Sequence, residues 1–350
     1  MVNKQRRTPT EQLHKIAQNF RIEGVPESFL PISIGHINET YKLVTEGGQY
    51  ILQRINDQVF KKPAEVMENI ERVGAFLVGR GYPKKILRAV PTIEGASFHQ
   101  DKRGQYWRLF PFITDTLTIN HVDHPDIAYQ AAFAFGEYAR YLSHFDISKL
   151  HVTIPDFHNT PLRFLHFKVL LKLAAPERLN LAKQVVQLVT DHAGILETYS
   201  CIAPFLSVVH YDTKINNLLL DEETLTPVCI IDLDTLMPGM LPYDFGDMVR
   251  TFTPGVDENE ADLQQVQVRL PVYEALKEGF LDGIKGQIHP TVKLHLEDGA
   301  QLIIFEQAIR FLTDYLQGNL YYPVTYETQN LDRAKNQMTL LQDFLAKTRI

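Results

Sequence analysis

The sequence lacks a concentrated basic segment, has only two cysteines and contains no apolar run long enough to span a membrane. Its 35 Lys and Arg residues against 42 Asp and Glu residues give a formal net charge of −7, which argues against nucleic acid as a partner. Cys201 and Cys229 stand in apolar surroundings, so we expect two buried free thiols rather than a disulfide framework. The basic N-terminus has no apolar signal-peptide core. These absences predict a soluble cytoplasmic protein that binds neither nucleic acid nor membranes.

The predicted secondary structure changes from mainly strands to mainly helices at about residue 112. Before that point, short β-like runs, KKILRAVPT at 84–92 among them, accompany one helical pattern at 62–81. We therefore predict an α+β architecture, with a β lobe at 1–112 that ends in a hinge and a helical lobe at 113–350. Ligands of such proteins usually bind between the lobes. The helices predicted in the second lobe cover 126–145, 161–175, 179–200, 258–281, 296–316 and 327–348, and Pro271 must break or kink the fourth.

One polar segment interrupts the helical lobe. In the stretch VVHYDTKINNLLLD at 208–221, a short loop between two apolar runs carries His210, Asp212 and Asn217. The apolar strand at 227–234 then carries Asp232. A carboxylate two residues after a His, an amide five residues later and a second carboxylate at a strand end suit metal-assisted phosphoryl transfer.

Each member of this set has a predicted role. We expect Asp212 to accept or orient the proton of an acceptor hydroxyl, while Asn217 and Asp232 hold Mg²⁺ against nucleotide phosphates. Lys214 stands two residues after Asp212 and is expected to hold positive charge beside the migrating phosphoryl group. The alternative for Lys214 is an ordinary solvated loop lysine.

Two other aspartate motifs compete with this interpretation. The stretch YDFGD at 243–247 contains the Asp-Phe-Gly that protein kinases use for metal, but no apolar strand leads directly into it. We therefore expect Asp244 and Asp247 to fix the loop or to cap the next helix. The stretch IIDLDTL resembles the start of an aspartate-nucleophile phosphatase, which would leave the upstream His-Asp-Asn set unexplained.

The β lobe offers a turn for covering the phosphates. The stretch SIGHINETYKL has one glycine, Gly35, followed by His36, Asn38 and Thr40 at alternate positions. We expect these polar residues to line the cleft, although they also suit the decoration of a plain hairpin.

The strand YILQRIN lacks the lysine that kinases use at this position for phosphate binding. Gln53 or Arg54 must substitute for it, and Glu68 or Glu71 on the following helix is the expected partner.

Taken together, HYDTKINN, VCIIDLDT and YDFGD resemble the aminoglycoside phosphotransferase and choline kinase superfamily, which has a protein-kinase-like, two-lobed fold. More narrowly, GHINETY, DTKINN, IDLDTLMPG, YDFGDMVR and RFLTDYLQGNLYY look like the N-acetylhexosamine 1-kinases. Those enzymes phosphorylate the anomeric hydroxyl of free GlcNAc or GalNAc with ATP and Mg²⁺. The resemblance covers roughly residues 28 to 325.

The resemblance implies roles for further residues. It makes Asp212 the base, makes Asn217 and Asp232 the metal ligands, and places WRLFPFI at 107–113 against adenine as the hinge. The nucleotide-binding residues expected from the motifs are Gly35, Asn38, Thr40, Gln53, Arg54, Glu68, Arg108 and Phe110. Those expected to face the sugar are His36, Asp212, Arg310 and Tyr321. Gln53 departs from the wider superfamily, where a basic residue is common.

Several alternatives stay open at this point. The acceptor is an N-acetylhexosamine, or instead another hexose, an amino alcohol such as choline, or an aminoglycoside. A non-catalytic nucleotide-binding protein is a further alternative, which the intact Asp212 disfavours. Without the resemblance, Arg310 suits an i,i+4 pair with Asp314 and Tyr321 a loop aromatic. The choice between ATP and GTP, the anomer and the oligomeric state have no signal in the sequence.

Overall fold

The computed structural model describes residues 7–32 and 37–348. Gly35 and His36 therefore lie outside the described residues. The first part of the chain, up to Pro111, contains α1 (Thr10–Ala17), β1 (Pro26–Ile32), β2 (Glu39–Thr45), β3 (Gly48–Arg54), α2 (Pro63–Gly79), β4 (His99–Gln100) and β5 (Tyr106–Pro111). Its five strands form an antiparallel sheet in the order β1-β2-β3-β5-β4.

Cross-strand register separates the two faces of this sheet. Opposite residues of antiparallel strands point to the same face, and successive residues alternate between faces. One face packs Leu52, Trp107 and Leu109 against α1 in a small core. The other face turns Phe110 towards α2 and the main core. The side chain of each strand residue can therefore be assigned to the α1 face or to the opposite face.

The second part of the chain, from Thr116 to Thr348, is mainly helical and contains two small sheets. Its strands are β6 (Thr116–Leu117), β7 (Leu206–Val209), β8 (Leu218–Asp221), β9 (Pro227–Ile230) and β10 (Met237–Met240). Its helices are α3 (Pro125–Leu142), α4 (Thr160–Leu170), α5 (Pro176–Asp191), α6 (Tyr199–Ile202), α7 (Leu241–Phe252), α8 (Leu270–Ile284), α9 (Pro290–Leu294), α10 (Leu296–Gln317) and α11 (Gln329–Thr348). The buried helix α10 packs against α4, α7 and α11, while α3 packs along α8. The predicted α+β fold is confirmed.

Several local predictions differ from the structure. The segment at 84–92 forms no strand, because it lies between α2 and β4 with only two isolated bridges, from Lys85 to Cys229 and from Thr92 to Phe20. The helix predicted at 258–281 begins only at Leu270, because Pro271 suits a first helical turn, where no N–H partner is needed. Cys229 is buried as predicted, but Cys201 is exposed.

The segment YDFGD is also helical, which the sequence analysis did not anticipate. It lies within α7, whose first turn carries Pro242. Within the ranges that the structure describes, no helix combines the length and the apolar character needed to cross a membrane. The lobe boundary at residue 112 stays a prediction, although β5 ends at Pro111 and β6 already pairs with β8 of the second half.

Candidate active site

The loop after β7 carries the residues of the His-Asp-Asn motif. Asp244 of α7 fixes this loop, since its carboxylate accepts hydrogen bonds from the backbone N–H groups of His210 and Tyr211, both at 2.8 Å. Tyr211 has a left-handed backbone conformation with φ 62°, which a residue with a side chain rarely adopts. The two hydrogen bonds therefore hold a strained turn directly before Asp212. Asp244 has the loop-fixing role that the sequence predicts.

His210 is a structural member of the loop. Its Nδ1 accepts from the N–H of Asp212 at 3.2 Å, and its Nε2 donates to the carbonyl of Ile231 at 2.9 Å. We call residues 210–217 the catalytic loop after their predicted role. The imidazole connects this loop to Ile231, the residue directly before Asp232. Thr235 adds a bond from its hydroxyl to the carbonyl of His210 at 2.6 Å.

Asp212 lies between a cation and an amide. Its Oδ1 is 2.8 Å from Nζ of Lys214, and its Oδ2 accepts from Nδ2 of Asn217 at 2.8 Å. Burial opposes ionisation of Asp212, but the neighbouring Lys214 outweighs it and lowers the pKa of the carboxyl. The charge of Asp212 in turn raises the pKa of Lys214. Both groups are therefore charged at neutral pH, and Asp212 can accept a hydrogen bond from a hydroxyl.

Asp232 follows β9 and is exposed on one side, while protein surrounds its carboxyl on the other sides. The surrounding protein raises the pKa of its carboxyl to about 7, first through desolvation and then through the charges of Asp234 and Asp212. Its backbone is left-handed, with φ 58°. A carboxylate in this environment suits a divalent cation, because a cation offsets the repulsion from Asp234 and Asp212, the part of the pKa rise that comes after desolvation.

Asn217 also fits a metal ligand. Its amide nitrogen donates to the carbonyl and to Oδ2 of Asp212, both at 2.8 Å, whereas its Oδ1 accepts no hydrogen bond from any described residue. No group of three His, Cys, Asp or Glu side chains within residues 7–32 and 37–348 is arranged to hold a metal. The pair of Asn217 and Asp232 suits Mg²⁺, which usually takes one or two protein carboxylates and completes its shell with water and substrate phosphates.

Three predicted nucleotide residues form one row across the β lobe. Thr40 of β2 pairs with Gln53 of β3, which pairs with Arg108 of β5, so all three side chains share a face. Gln53 donates to Thr40 at 3.1 Å and accepts from Nε of Arg108 at 2.9 Å. Phe110 lies two residues from Arg108 on the same face, with its ring 5.1 Å from the guanidinium. The row and Phe110 face away from α1.

The register also decides between Gln53 and Arg54. Arg54 has the strand parity of Leu52 and therefore points towards α1, where it pairs with Glu39 at 2.8 Å. Of the two residues, only Gln53 lies on the face that carries Thr40 and Arg108. Both expected partners on α2 are bound elsewhere. Glu68 is bound by Arg72 and by His151, both at 2.8 Å, and Glu71 pairs with Arg88 at 3.5 Å.

Asn38 reaches the second half of the chain. Its amide donates to Oδ2 of Asp234 at 2.6 Å, and Asp234 also pairs with Nη1 of Arg108. Sequence analysis missed Asp234, although the repeated aspartate of IIDLD was a visible signal. The contact joins the turn before β2 to the loop that carries Asp232.

The predicted sugar residues on α10 and the loop after it lie near the catalytic loop. The guanidinium of Arg310 is 5.5 Å from the Phe157 ring and 5.7 Å from the Tyr322 ring. The Phe157 ring in turn is 6.2 Å from that of Tyr211, which precedes Asp212. Tyr321 is 60% exposed and contacts Tyr322 edge-on at 4.8 Å.

The alternative pair between Arg310 and Asp314 does not form. Asp314 instead accepts hydrogen bonds from the backbone N–H groups of residues 320, 321 and 322 and from Asn330, all at 2.8–2.9 Å. It thereby folds the loop that carries Tyr321 back over α10. No described residue accepts a hydrogen bond from Arg310, so its donors are available to a ligand.

A buried polar cluster behind this loop was also missed. Glu306 of α10 is completely buried and accepts from His158 at 2.8 Å and from Thr160 at 2.6 Å. The other ring nitrogen of His158 lies 3.4 Å from the carbonyl of Tyr211. The cluster therefore ties α10 to the catalytic loop, one helical turn before Arg310. Its members are too far apart in sequence to form a recognisable motif.

Comparisons with known proteins identify the family and the fold. A family model described as the phosphotransferase enzyme family (APH) matches residues 28–278. The fold is similar to an aminoglycoside phosphotransferase from Alicyclobacillus acidocaldarius subsp. acidocaldarius DSM 446, at 13% identity and TM-score 0.69, covering 100% of this chain and 98% of that one.

Two further structures share the fold. Spectinomycin phosphotransferase APH(9)-Ia, in complex with ADP and spectinomycin, is 14% identical with TM-score 0.63, covering 98% of this chain and 99% of that one. A choline kinase from Cryptosporidium parvum Iowa II is 14% identical with TM-score 0.55, covering 97% of both chains. At such identities the likeness concerns the fold alone.

The two-lobed fold and the matching family model define a small-molecule phosphotransferase with a protein-kinase-like architecture. The chain belongs to the phosphotransferase enzyme family (APH), whose model matches more than half of its residues.

Proposed function

We propose that the protein transfers the γ-phosphoryl group of ATP to the anomeric hydroxyl of a free N-acetylhexosamine, GlcNAc or GalNAc, and releases the sugar 1-phosphate and ADP. The similarity of GHINETY, DTKINN and RFLTDYLQGNLYY to the N-acetylhexosamine 1-kinases supports this acceptor. The alternatives are another hexose, an amino alcohol or an aminoglycoside.

In the proposed reaction, Asp212 orients the acceptor hydroxyl and receives its proton. Phosphoryl transfer needs little covalent chemistry from the protein, so an in-line hydroxyl and local charge stabilisation suffice. Lys214, held 2.8 Å from Asp212, keeps positive charge beside the transferred group. Asn217 and Asp232 are the residues that would hold Mg²⁺. When bound, this ion neutralises charge on the nucleotide phosphates.

The observation that carries the acceptor class is the position of Arg310. A site for choline needs open aromatic faces around a cation. Here the protein's own guanidinium already lies against the Phe157 and Tyr322 rings. A second cation would meet the charge of Arg310 at close range, where the repulsion is weakly screened. A neutral acceptor with hydroxyl and carbonyl oxygens instead provides acceptors for the unpartnered donors of Arg310.

The acceptor class also decides how specificity arises. A site that hydrogen-bonds its substrate discriminates strongly against analogues that leave its polar groups unpaired. Arg310 and Tyr321 present donors to ring hydroxyls or to the amide carbonyl of an N-acetyl group. We therefore expect a marked preference for N-acetylhexosamines over the plain hexoses.

An acceptor panel tests this proposal. GlcNAc, GalNAc, glucose, galactose, choline and kanamycin are each incubated with ATP and Mg²⁺, and ADP release is measured. We expect turnover of an N-acetylhexosamine, and a loss of about 10²-fold or more in kcat/KM for it in Arg310→Met. Turnover of choline or kanamycin alone contradicts the proposal.

Arg178 offers a matched control for Arg310. Arg178 lies on α5, and its guanidinium is 4.8 Å from the ring of Tyr315 on α10, the helix that carries Arg310. It also donates a hydrogen bond to the carbonyl of Tyr315 at 2.7 Å. The contacts of Arg178 are with Tyr315 and Glu327 and not with Phe157 or Tyr322. Arg178→Met should therefore lower the melting temperature without changing acceptor preference. Equal losses of kcat/KM in both variants contradict the role of Arg310.

A further inference from the structure

One guanidinium is buried between the β lobe and the loop that carries Asp232. Arg108 is 1% exposed and its partner Asp234 is 2% exposed. Nη1 of Arg108 pairs with Asp234, and Nε donates to Gln53 at 2.9 Å. Nη2 donates to no described residue. Buried guanidinium donors are normally satisfied by protein or water. Nη2 of Arg108 is not among the fully enclosed side-chain atoms that lack a partner, so it keeps access to solvent and its donors are available to a ligand.

Asp234 is fully engaged by the protein. One carboxylate oxygen binds Arg108, and the other accepts from Asn38 at 2.6 Å. Asp234 therefore suits an anchor for Arg108 better than a metal ligand. Because Asp234 stands two residues after Asp232, the anchored guanidinium lies beside the residue proposed to hold the metal and the phosphates.

Kinases use a cation of the β lobe to bind the nucleotide phosphates. In kinases, a lysine of the third strand pairs with the nucleotide phosphates and with a glutamate of the following helix. Here the corresponding strand position is Gln53, and Arg54 points to the opposite face. The following helix α2 presents Sδ of Met67 at 3.8 Å from Nη1 of Arg108 instead of a carboxylate. The cation therefore lies on β5 instead of β3, and its carboxylate partner is Asp234 instead of a glutamate of α2.

We infer that Arg108 binds the nucleotide phosphates through Nη2 and that Asp234 is the positioning residue that holds it in place. This inference rests on the proposed use of a nucleotide. It also revises the expectation that the whole stretch at 107–113 faces adenine. Strand parity puts Arg108 and Phe110 on one face, with Arg108 nearer to Asp234 and Asp232. An arginine suits the task, because its fork can bind a carboxylate and a phosphate at once.

The test compares ADP with adenosine, which lacks phosphates, by titration calorimetry with Mg²⁺ and no acceptor. A phosphate contact of this kind predicts that Arg108→Met raises the Kd for ADP by about tenfold or more. The Kd for adenosine should change by less than about twofold. Asp234→Asn should reduce the preference for ADP over adenosine in the same direction, because Arg108 loses its anchor. Arg108→Lys should retain part of the preference.

A second variant covers the case in which Arg108→Met does not fold. The single change leaves the Asp234 carboxylate buried without its counter-ion, which is destabilising. Arg108→Met/Asp234→Asn removes both charges and should lose the preference for ADP just as the single variant does. Lys84→Met is the matched control, because Lys84 also joins the two halves of the chain through Glu137, at 2.6 Å. It should lower the melting temperature and leave the preference unchanged.

The outcomes separate this inference from the proposed function. Retention of the wild-type ADP preference in both Arg108 variants overturns the inference alone. Equal weakening of ADP and adenosine also overturns it, since Arg108 then supports the site without contacting phosphate. A wild-type protein that binds neither ATP nor ADP refutes the proposed nucleotide use itself.

Discussion

Replacing Asp244 by alanine removes the carboxylate that holds the catalytic loop. Two backbone N–H groups, those of His210 and Tyr211, then lose their acceptors while they stay buried. Each unsatisfied buried N–H costs about 1–3 kcal/mol. Burial also raises the pKa of Asp244 to about 6, so removal of the carboxylate relieves a desolvation cost. We therefore expect a net loss of about 2 kcal/mol of unfolding free energy rather than the full sum.

A loss of this size should lower the melting temperature of a 350-residue chain by about 3 °C in a thermal unfolding scan. The turnover number should fall as well, because the strained backbone of Tyr211 directly precedes Asp212. Asp126→Ala is a suitable control, since that side chain is 89% exposed in the first turn of α3. An unchanged melting temperature together with loss of Mg²⁺-dependent ADP binding would show that Asp244, and not Asp232, is the metal ligand.

Three further predictions follow from the same loop. Asp212→Asn should lower kcat by about 10²-fold and leave the Kd for ADP nearly unchanged; wild-type turnover in this variant would remove Asp212 as the base. The pKa of Asp244 rises from 3.8 to about 6 on folding, so its stabilising contribution is present at low pH and lost as pH rises through 6. Urea unfolding should therefore show the gap between wild type and Asp244→Asn widening in favour of wild type from pH 7 to pH 5, and a constant gap contradicts this. Gly239→Ala puts a Cβ 2.3 Å from ring atoms of Tyr211, so it should lower both kcat and the melting temperature, and wild-type values for both would contradict the packing.

The position of the loop that carries Asp212 and Asn217 was predictable because its members are close in sequence, while its catalytic role stays a prediction. Asp212 and Asn217 share one loop, and the hairpin of β8 and β9 returns the chain so that Asp232 follows it. Residues that are near one another in sequence therefore also come near one another in the fold. The fold class was predictable for a similar reason, since the change from strand to helical periodicity marks the two halves of the chain.

Contacts between distant segments were not predictable from one sequence. Arg108 and Asp234 are 126 residues apart, and only the cross-strand register reveals that Arg108 and Gln53 are neighbours. Periodicity favoured a pair between Arg310 and Asp314, but the backbone N–H groups of the next loop bind Asp314 instead. Helix propensity likewise says little about α7, where tertiary packing buries nearly every residue.

The most direct test of the proposed reaction compares a free sugar with its blocked form. GlcNAc and GalNAc, and the 1-O-methyl glycoside of each, are incubated with ATP and Mg²⁺, and the products are followed by phosphorus NMR. The account predicts an anomeric sugar 1-phosphate from at least one free sugar and no product from the glycosides, which lack the anomeric hydroxyl. Equal turnover of a methyl glycoside, or phosphorylation at another hydroxyl, would contradict it.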